Sequence, residues 1–436
     1  MQICVIGLWH LGSVTTACLA NKGFNILGYD PDSAVIQRLQ GGKASLFEPG
    51  LDSLIQKQIA MGRLHFTNSI MEAVSKSDLI WITFDTPVND EDNADIDWLQ
   101  KNIEPLLSHL REKQPILISS QVPVGFCKKL EDLIQQRCNG LRVVVGYVPE
   151  NLRLGKAIEI FESPDRLVAG IRRPEDRAIF EPLLSAITPR IEWMTTESAE
   201  MTKHAINSFL AVSIVFANEL ARLCESVGAD AREVERGLKS ESRIGPKAYL
   251  KPGAAFAGGT LARDVQFLAE LSAEKGQTSP LLNAILESNR RHQNWAREKL
   301  EACLKPLKGR RVAIFGLTYK EGTDTLRRSW AVELASWLHQ QGVQVNAYDW
   351  QLRQLPGELA SILSLKGDRE TALTGSDALV IGTDHPGLKQ VQASEMRLLR
   401  NPLIIDPNGA LNGTWISSLT PLHYCSVAYT VSRSTL

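Results

Sequence analysis

Two distant parts of the chain begin alike, and this repeat constrains the fold more than any other feature. A short apolar run leads directly into a glycine at residues 4–8 (CVIGL) and again at residues 313–317 (AIFGL). The next apolar run of each half ends in an aspartate, Asp30 in one and Asp349 in the other. A strand, a glycine turn and a second strand ending in an acidic residue are typical of nucleotide-binding folds. The repeat predicts two related nucleotide-binding units.

Short apolar runs alternate with longer amphipathic stretches through residues 1–190. Several runs are apolar throughout, as strands buried on both faces require. The stretches between them are long enough for crossover helices, so the pattern predicts a parallel, doubly wound sheet. The strand candidates are residues 3–6, 25–29, 79–83, 115–119, 142–145 and 166–169.

From Glu197 the apolar residues recur at helical spacing instead. They predict a long helix over residues 197–228, followed by helices at 230–238 and 262–300. A second sheet begins at Arg311, with further strands at 343–348, 378–382 and 403–405. The predicted fold is α/β: two Rossmann-like doubly wound parallel-sheet domains joined by a helical central domain with a long helix. The predicted domains are residues 1–195, 196–305 and 306–436.

Composition and charge argue against several classes of partner. The formal net charge is -1, which does not favour nucleic acid. No apolar run approaches the roughly 18 residues of a membrane span, and no basic segment precedes the first apolar run, as it would in a signal peptide. The seven cysteines include no C-x-x-C pair, and the histidines show no metal-ligand spacing. The pattern predicts a cytoplasmic protein with no disulfide framework and no metal site.

The first glycine turn has the spacing of a cofactor-binding loop. Gly7 and Gly12 bracket Trp9, His10 and Leu11, directly after the first strand and at the start of a helix. In a dinucleotide fold the first glycine makes the tight turn, the last allows close helix–sheet packing, and the helix N-terminus faces the pyrophosphate. Trp9 occupies the place of the middle glycine, so a generic strand–turn–helix stays open as the alternative.

Asp30 and a loop at the sheet edge strengthen the cofactor interpretation. Asp30 ends the second strand, 18 residues after Gly12. A carboxylate there accepts hydrogen bonds from ribose hydroxyls and repels a 2′-phosphate, which favours NAD over NADP. Thr86 and Pro87 follow the strand at 79–83 and lie at the carboxyl edge of the sheet, where such folds bind ligands. The predicted cofactor is NAD.

Taken in order, these motifs and others resemble the UDP-glucose/GDP-mannose dehydrogenase family along nearly the whole chain. The resemblance implies an NAD-dependent nucleotide-sugar dehydrogenase of polysaccharide biosynthesis, most readily one that oxidises UDP-glucose at C6 to UDP-glucuronate. The matching landmarks are residues 48–51 (EPGL), 86–87 (TP), 122–125 (VPVG), 149–153 (PENLR), 164–166 (PDR), 203–207 (KHAIN), 243–245 (RIG), 258–259 (GG), 263–264 (RD) and 316–320 (GLTYK).

The resemblance also implies catalytic roles that suit the residue types. Lys203 and Asn207 lie four residues apart on the predicted helix and so project from one face. In the family this pair stabilises the oxyanion that forms when the sugar carbon gives up hydride. Asp264 corresponds to an aspartate that positions a water or Lys203 for proton transfer, and Glu150 to a glutamate of the hydrolytic step. A solvated lysine and a simple loop cap are the alternatives for Lys203 and Glu150.

Further implied contacts concern the nucleotide and a second subunit. Lys320 and Arg327 fall where the family places phosphate and uridine contacts, and a guanidinium suits a diphosphate. Arg243 resembles an arginine that reaches the substrate of a neighbouring subunit, which implies a homodimer or higher homo-oligomer. The long helix is then the dimer element, with plain core as the alternative. The implied substrate-binding residues are Glu150, Leu152, Arg153, Lys203, Asn207, Arg243, Gly258, Gly259, Lys320 and Arg327.

The sequence departs from the family where the second oxidation needs a nucleophile. Aligned on Asp264, the family's catalytic cysteine falls at Thr260, whose hydroxyl is a far weaker nucleophile than a thiol. Cys127 is not expected to replace it. Gln121, at the cofactor edge, replaces a threonine, and residues 406–408 (DPN) lack the usual arginine. Three outcomes remain open: oxidation through the hydrated aldehyde, a single oxidation to an aldehyde or ketone, or binding of a nucleotide sugar without turnover.

Overall fold

The computed structural model describes residues 1–87, 94–257, 260–319, 321–411, 414–417 and 422–433. The chain divides into two compact units, Met1–Ile206 and Asn207–Leu436. Gly258, Gly259 and Lys320, three of the predicted substrate contacts, lie outside the described residues. The predicted three-part division of the chain stays a prediction.

Among the described residues, the first unit contains one eight-stranded sheet. Its strands are β1 (Gln2–Ile6), β2 (Asn25–Tyr29), β3 (Leu64–Thr67), β4 (Leu79–Ile82), β5 (Pro115–Ile118), β6 (Val144–Tyr147), β7 (Leu167–Ile171) and β8 (Ile191–Thr195). Their order is β3-β2-β1-β4-β5-β6-β7-β8. All neighbours are parallel except β6 and β7, which pair antiparallel. The strands run outward in sequence from β1 to one edge of the sheet and from β4 to the other. Folds of this type bind ligands at this change in strand order between β1 and β4.

Helices cover both faces of this sheet because successive residues of its strands are apolar and project alternately to the two faces. In β1, Ile3 and Val5 join one buried cluster, while Cys4 and Ile6 join another on the opposite face. The predicted doubly wound fold is therefore confirmed for this unit. Its helices are α1 (His10–Asn21), α2 (Ser33–Gln40), α3 (Leu51–Ala60), α4 (Ile70–Ser75), α5 (Ile96–Ile103), α6 (Phe126–Arg137), α7 (Ala157–Glu162) and α8 (Arg177–Ser185), with 3-10 turns at Glu104–His109 and Pro174–Asp176.

The second unit repeats the plan on a seven-stranded sheet within the described residues. Its strands are β9 (Arg311–Phe315), β10 (Gln344–Tyr348), β11 (Ser364–Leu365), β12 (Ala378–Ile381), β13 (Leu403–Ile405), β14 (Leu422–Cys425) and β15 (Thr430–Arg433). The order is β11-β10-β9-β12-β13-β14-β15, and β14 and β15 pair antiparallel. Val312 and Ile314 enter one apolar cluster, Ala313 and Phe315 the other. The same alternation as in β1 therefore builds both sheets.

The long helix predicted at 197–228 is α9 (Thr196–Val227), which begins in the first unit and ends in the second. The remaining helices of the second unit are α10 (Ala231–Ser240), α11 (Thr260–Glu274), α12 (Pro280–His292), α13 (Trp295–Leu304), α14 (Trp330–Gln340), α15 (Gly357–Ala360) and α16 (Arg369–Leu373), with 3-10 turns at Pro386–Gln390, Glu395–Leu398 and Thr414–Ser417.

Some predicted elements differ from the structure for local reasons. The single helix expected over 262–300 is three helices, because Gly276 has a φ of +67° after α11 and Pro280 opens α12. The strands β3, β8, β11, β14 and β15 were not predicted. None of the residues of β8 is fully buried, so it lacks the continuous apolar run that indicates a central strand.

Helix α9 meets the length and hydropathy criteria of a membrane span, although the sequence contains no apolar run of about 18 residues. Helix α9 is long enough to cross a bilayer and reaches a mean hydropathy of 1.3, with 39% of that stretch buried inside the structure. The sequence contains no unbroken apolar run here, because polar residues such as Lys203, Asn207 and Asn218 interrupt it. Core helices of globular proteins meet the same length and hydropathy criteria, so these two properties do not distinguish the settings.

Candidate active site

The first glycine turn has no room for side chains at its two glycines. Gly7 has a φ of +89°, and a Cβ there would lie 2.5 Å from the Phe84 ring. A Cβ on Gly12 would lie 1.8 Å from the carbonyl oxygen of Gly7. The start of α1 can therefore approach the end of β1 closely, which turns its first backbone N–H groups toward the carboxyl edge of the sheet. Trp9, in place of the middle glycine, is 48% exposed.

Asp30 holds this turn and still faces outward. Its carboxylate accepts the N–H of Leu8 at 2.8 Å and the N–H of Asp32 at 3.0 Å. A carboxylate offers about four acceptor positions, so two remain for hydroxyl groups of a ligand. Asp30 is half-buried, and this burial raises the pKa of its carboxyl group, against the effect of the two backbone hydrogen bonds.

The repeat in the second unit uses the equivalent aspartate differently. Asp349 accepts the N–H groups of Leu317 at 2.7 Å and Thr318 at 3.2 Å. Its other oxygen accepts two more N–H groups, from Gln351 and Leu352, and the residue is only 3% exposed. Asp349 is therefore saturated within the protein and serves as a turn brace, whereas Asp30 keeps free acceptor positions.

Glu48 is a positioning residue to which the sequence alone assigned no role. It is 4% exposed, and its carboxylate lies 3.0 Å from His10 Nε2. It also accepts the N–H groups of Gly155 at 2.9 Å and Ala157 at 2.8 Å. Glu48 thus ties the first residue of α1 to the start of α7. An acidic residue in an otherwise apolar, turn-rich stretch (residues 46–51, LFEPGL) was the available signal.

The loops after β4 and β5 meet at the carboxyl edge of the sheet. The Thr86 hydroxyl donates to the carbonyl oxygen of Gln121 at 2.9 Å. Next to Gln121, the hydroxyl of Ser120 is fully buried and has no hydrogen-bond partner among the described residues. Pro87 ends the described part of its loop. An orphaned hydroxyl, a glycine turn that a Cβ would fill and an acidic residue with spare acceptor positions fit a dinucleotide bound at this edge.

Lys203 is buried and directed at the loop that follows β6. It is 5% exposed, and its ammonium group donates to the main-chain oxygen of Glu150. The same Nζ lies 3.7 Å from Oε2 of Glu150. The alternative of a solvated lysine is therefore wrong. The neighbouring Leu152 packs on the apolar core, whereas Arg153 is exposed.

Asn207 follows Lys203 by one turn of α9 and pairs with the predicted aspartate. Its amide donates to Oδ2 of Asp264, which is completely buried in α11. Thr260 begins α11 one turn earlier and is exposed. Thr260 and Asp264 therefore share one side of the helix. Cys127 is 0% exposed, and burial raises the pKa of its thiol well above the usual range, so it is a poor nucleophile.

The second unit contains a small cavity of about 40 Å³ beside the segment that precedes α11. Arg328 lines it and has a φ of 61°, an unusual conformation for a non-glycine residue. Arg327, the predicted contact, is exposed, and Arg243 is exposed and pairs with Glu241 at 3.0 Å. Other lining residues are Phe256, His292, Trp295, Trp330 and Val427.

Asn408 occupies the region where the resembled family has an arginine. Its side-chain oxygen accepts the N–H of Ala254 at 2.8 Å. A Cβ on Gly253 would lie 2.5 Å from that oxygen, so the close approach requires glycine. Asn408 therefore holds the segment before α11 in place through this hydrogen bond to the main chain.

Three consecutive segments of the chain match one enzyme family. Models of the UDP-glucose/GDP-mannose dehydrogenase family match residues 1–188 for the NAD binding domain, 197–291 for the central domain and 313–413 for the UDP binding domain. The protein is an NAD-dependent nucleotide-sugar dehydrogenase. The chain belongs to the UDP-glucose/GDP-mannose dehydrogenase family.

Individual relatives agree with this assignment over nearly the full length. The chain is 33% identical over 409 residues to UDP-glucose 6-dehydrogenase TuaD of Bacillus subtilis, covering 93% of this chain and 88% of the relative. A UDP-glucose dehydrogenase from Pyrobaculum islandicum has a similar structure, with a TM-score of 0.86 at 26% identity and 98% of both chains covered. A UDP-D-ManNAc dehydrogenase from Pyrococcus horikoshii reaches a TM-score of 0.84 at 25% identity, covering 98% of this chain and 99% of that one.

Proposed function

We propose that this enzyme oxidises UDP-glucose at C6 to UDP-glucuronate without a covalent thioester. The sugar is proposed from the similarity to UDP-glucose 6-dehydrogenases over 93% of the chain. The absence of a thioester is proposed from Thr260, which stands where the family's nucleophilic cysteine is expected. The reaction removes two hydrides in succession from one carbon.

The observation that carries the proposal is the buried position of Lys203 next to Glu150. An ammonium group that is 5% exposed stabilises negative charge far more than a solvated one does. Lys203 and Asn207, one turn apart on α9, supply a cation and an amide donor for the alkoxide that develops at C6. Asp264 orients the Asn207 amide by accepting from it.

Bound NAD supplies the hydride acceptor. Gly7, Gly12 and the start of α1, with Trp9, His10 and Leu11, would face its pyrophosphate. Asp30 would accept from the ribose hydroxyls, and Thr86, Pro87 and Gln121 would border the ring end at the loops after β4 and β5. The fit rests on the glycine turn and on the acceptor positions that Asp30 keeps free.

The second oxidation needs an oxygen that the threonine cannot supply. In the first step the alcohol carbon loses a hydride and its hydroxyl loses a proton, giving the aldehyde. We propose that water then adds to the aldehyde to give the hydrated diol. The diol carbon loses the second hydride while one of its hydroxyl groups loses a proton to Glu150 or Asp264, which gives the carboxylic acid. The acid releases one further proton to become the carboxylate. Thr260 contributes a hydrogen bond to the sugar and no covalent bond.

A single oxidation is the second candidate, because Thr260 removes the feature that commits the aldehyde to further reaction. The product would then be an aldehyde or a ring ketone. Binding of a nucleotide sugar without turnover is the third candidate. The buried Lys203 argues against it, since burying a cation is costly and a protein that needs only to bind has no use for it there.

The remaining contacts and the assembly are also proposals. The domain boundaries are proposed at residues 195 and 305. The enzyme is proposed to be a cytoplasmic homodimer or higher homo-oligomer, without nucleic acid or membrane partners, in which Arg243 reaches the substrate of the neighbouring subunit. The proposed nucleotide and sugar contacts are Leu152, Arg153, Gly258, Gly259, Lys320 and Arg327.

Counting reduced cofactor per sugar tests the proposal directly. The enzyme would be incubated with UDP-glucose, UDP-ManNAc or GDP-mannose and excess NAD, with product masses recorded. Two NADH per UDP-glucose and a product heavier by one oxygen and lighter by two hydrogens support the proposal. One NADH with an aldehyde or ketone product assigns the single oxidation. No NADH with any of the three sugars refutes the catalytic proposal.

A further inference from the structure

The fold brings two cysteines and a histidine together in the second unit, and none of the three is among the residues assigned to the reaction. Cys303 lies in the last turn of α13, and His423 and Cys425 lie on β14. Cys303 Sγ is 3.8 Å from His423 Nδ1, and all three possible ligand atoms lie within 4.8 Å of one another. The scattered spacing in the sequence predicted no such group.

Local structure explains why the three side chains converge. His423 and Cys425 are two residues apart on a strand, so they project from the same face of the sheet. Helix α13 packs on that face, and Cys303 is placed opposite them. Cys425 is 1% exposed, whereas Cys303 and His423 are half-buried. Water can therefore reach one side of the group.

The distances suit a tetrahedral ion. With Zn–S near 2.3 Å and Zn–N near 2.0 Å, tetrahedral angles place sulfur and nitrogen ligands about 3.6 Å apart and two sulfurs about 3.8 Å apart. The Cys303–His423 separation is already within a few tenths of an ångström of this value. Any remaining pair needs to close by at most about 1 Å, which rotation about χ1 can supply.

The charge balance is also favourable. Two thiolates neutralise one divalent cation, so the complex introduces no net charge into a half-buried position. The charged side chain of α13 that acts electrostatically on all three groups is Lys299, one turn before Cys303, and it is already paired with Glu225. Zn²⁺ is a divalent ion that proteins commonly bind with thiolate and imidazole ligands.

We propose that Cys303, His423 and Cys425 bind one Zn²⁺ ion, with water in the fourth position, and that the ion cross-links α13 to β14. Binding replaces two thiol protons with the metal: two Cys–SH groups and Zn²⁺ give the dithiolate complex and two protons. The site stabilises the second unit and takes no part in the oxidation. It stands independently of the proposed substrate.

Cobalt titration of the full-length, fully reduced, metal-free enzyme tests this site. Co²⁺ bound by thiolates absorbs in the near ultraviolet, and tetrahedral Co²⁺ also absorbs in the visible. The expected result is one Co²⁺ per chain with both bands, displaced by one equivalent of Zn²⁺. Two protons should appear per ion in weakly buffered solution. Zn²⁺ should also raise the melting temperature of the wild type.

Single substitutions identify the ligands. Cys303→Ser, His423→Gln and Cys425→Ser should each weaken Zn²⁺ binding by at least about 100-fold and abolish the thiolate band or reduce it. Cys138→Ser is the matched control, because Cys138 is also half-buried but lies in the first unit. It should bind Co²⁺ as the wild type does. Circular dichroism and a cooperative melting transition of each variant without metal report that the chain remains folded.

Three results would overturn the proposal. The wild type could show no thiolate–Co²⁺ band, the three variants could bind Zn²⁺ as tightly as the wild type, or Cys138→Ser could lose binding equally. Cys303→Ser changes one atom at a half-buried position, so we expect this variant to fold. It therefore tests the site even if Cys425→Ser proves unstable.

Discussion

At the scale of single residues, the proposed chemistry depends on buried charged groups that have hydrogen-bond partners. A lysine at 5% exposure is stable only where acceptors surround its ammonium group, and Glu150 supplies both a carbonyl and a carboxylate oxygen. Asp264 is buried with the Asn207 amide as one partner. Each pair holds its proposed catalytic group in a defined orientation.

Replacing Lys203 by alanine should abolish most turnover and spare cofactor binding. The variant lacks the cation that stabilises the alkoxide, so kcat should fall by about 100- to 1000-fold. Steady-state NADH formation and NAD titration by fluorescence measure the two effects. Lys76→Ala removes a 66% exposed lysine and is the control, with unchanged kcat. Normal turnover by Lys203→Ala would overturn the catalytic assignment.

Replacing Thr260 by cysteine should increase the yield of the twice-oxidised product if the wild type stops at the aldehyde. A thiol near the start of α11 can form a thiohemiacetal, which a threonine hydroxyl cannot do without a dedicated base. NADH per sugar should rise from one toward two. Thr260→Ser, which keeps a hydroxyl, should leave the ratio unchanged. No change with cysteine would indicate hydration of the aldehyde or oxidation at another carbon.

At the scale of elements, helices are fastened to one another by buried carboxylates. The carboxylate of Glu200, on α9, accepts the N–H of Gly125 at 2.5 Å and of Cys127 at 2.9 Å, at the N-terminus of α6. Gly125 has no side chain to cap this helix, so a distant residue satisfies its first N–H groups. Glu48 does the same for the start of α7.

The Glu200 carboxylate should make stability depend on pH in a defined direction. Its burial raises the pKa of the carboxyl group above 4.5, despite the backbone hydrogen bonds that lower it. The folded state therefore holds the proton more tightly than the unfolded state. The stabilising contribution is complete below the unfolded pKa and is lost as pH rises through the folded pKa.

Glu200→Gln keeps the shape and removes the titration. The melting temperature of the wild type relative to that of Glu200→Gln should fall as pH rises from about 4.5, the unfolded value, and level off above the folded pKa. Calorimetry across this range measures the difference, in which other titrating groups cancel. A difference that is constant or grows with pH would show that the Glu200 pKa is not raised.

At the scale of the whole molecule, α9 exposes large apolar side chains on one side. Phe209 is 71% exposed, Phe216 is 49% exposed and Leu223 is 63% exposed, each seven residues after the last. Seven residues are close to two turns, so the three side chains follow one stripe along the helix. Exposed apolar side chains repeated along one side of a helix suit contact with another protein surface, and we propose this stripe as the dimer contact.

Charges placed on this stripe should separate the subunits. The double variant Phe209→Glu and Phe216→Glu should halve the mass measured by light scattering. It should also lose activity, if Arg243 completes the site of the neighbouring subunit. Met71→Glu, at a 62% exposed methionine on α4, should change neither property. An unchanged mass for the double variant would exclude the stripe from the interface.

Features of the fold that have a local cause were predictable from the sequence alone. Residues 25–29 were predicted as a strand, and α9 was predicted to within one residue at each end, because periodicity over successive residues decides such elements. The first glycine turn was predictable for the same reason, since Gly7 and Gly12 are only five residues apart in the sequence. Helical spacing also predicts that Lys203 and Asn207 share one face of α9, whereas their catalytic roles are implied by the family resemblance.

Contacts between residues that are far apart in the sequence depend on the tertiary structure. Glu48 and Gly155, Glu200 and Gly125, and Cys303 and His423 are far apart in the chain and are joined by strand order and helix packing. Edge strands such as β8 also depend on a neighbour, since half-exposed residues show no clear apolar period. These hydrogen bonds and the cysteine–histidine cluster form where two elements pack together. The identity of a residue does not specify which element packs against it.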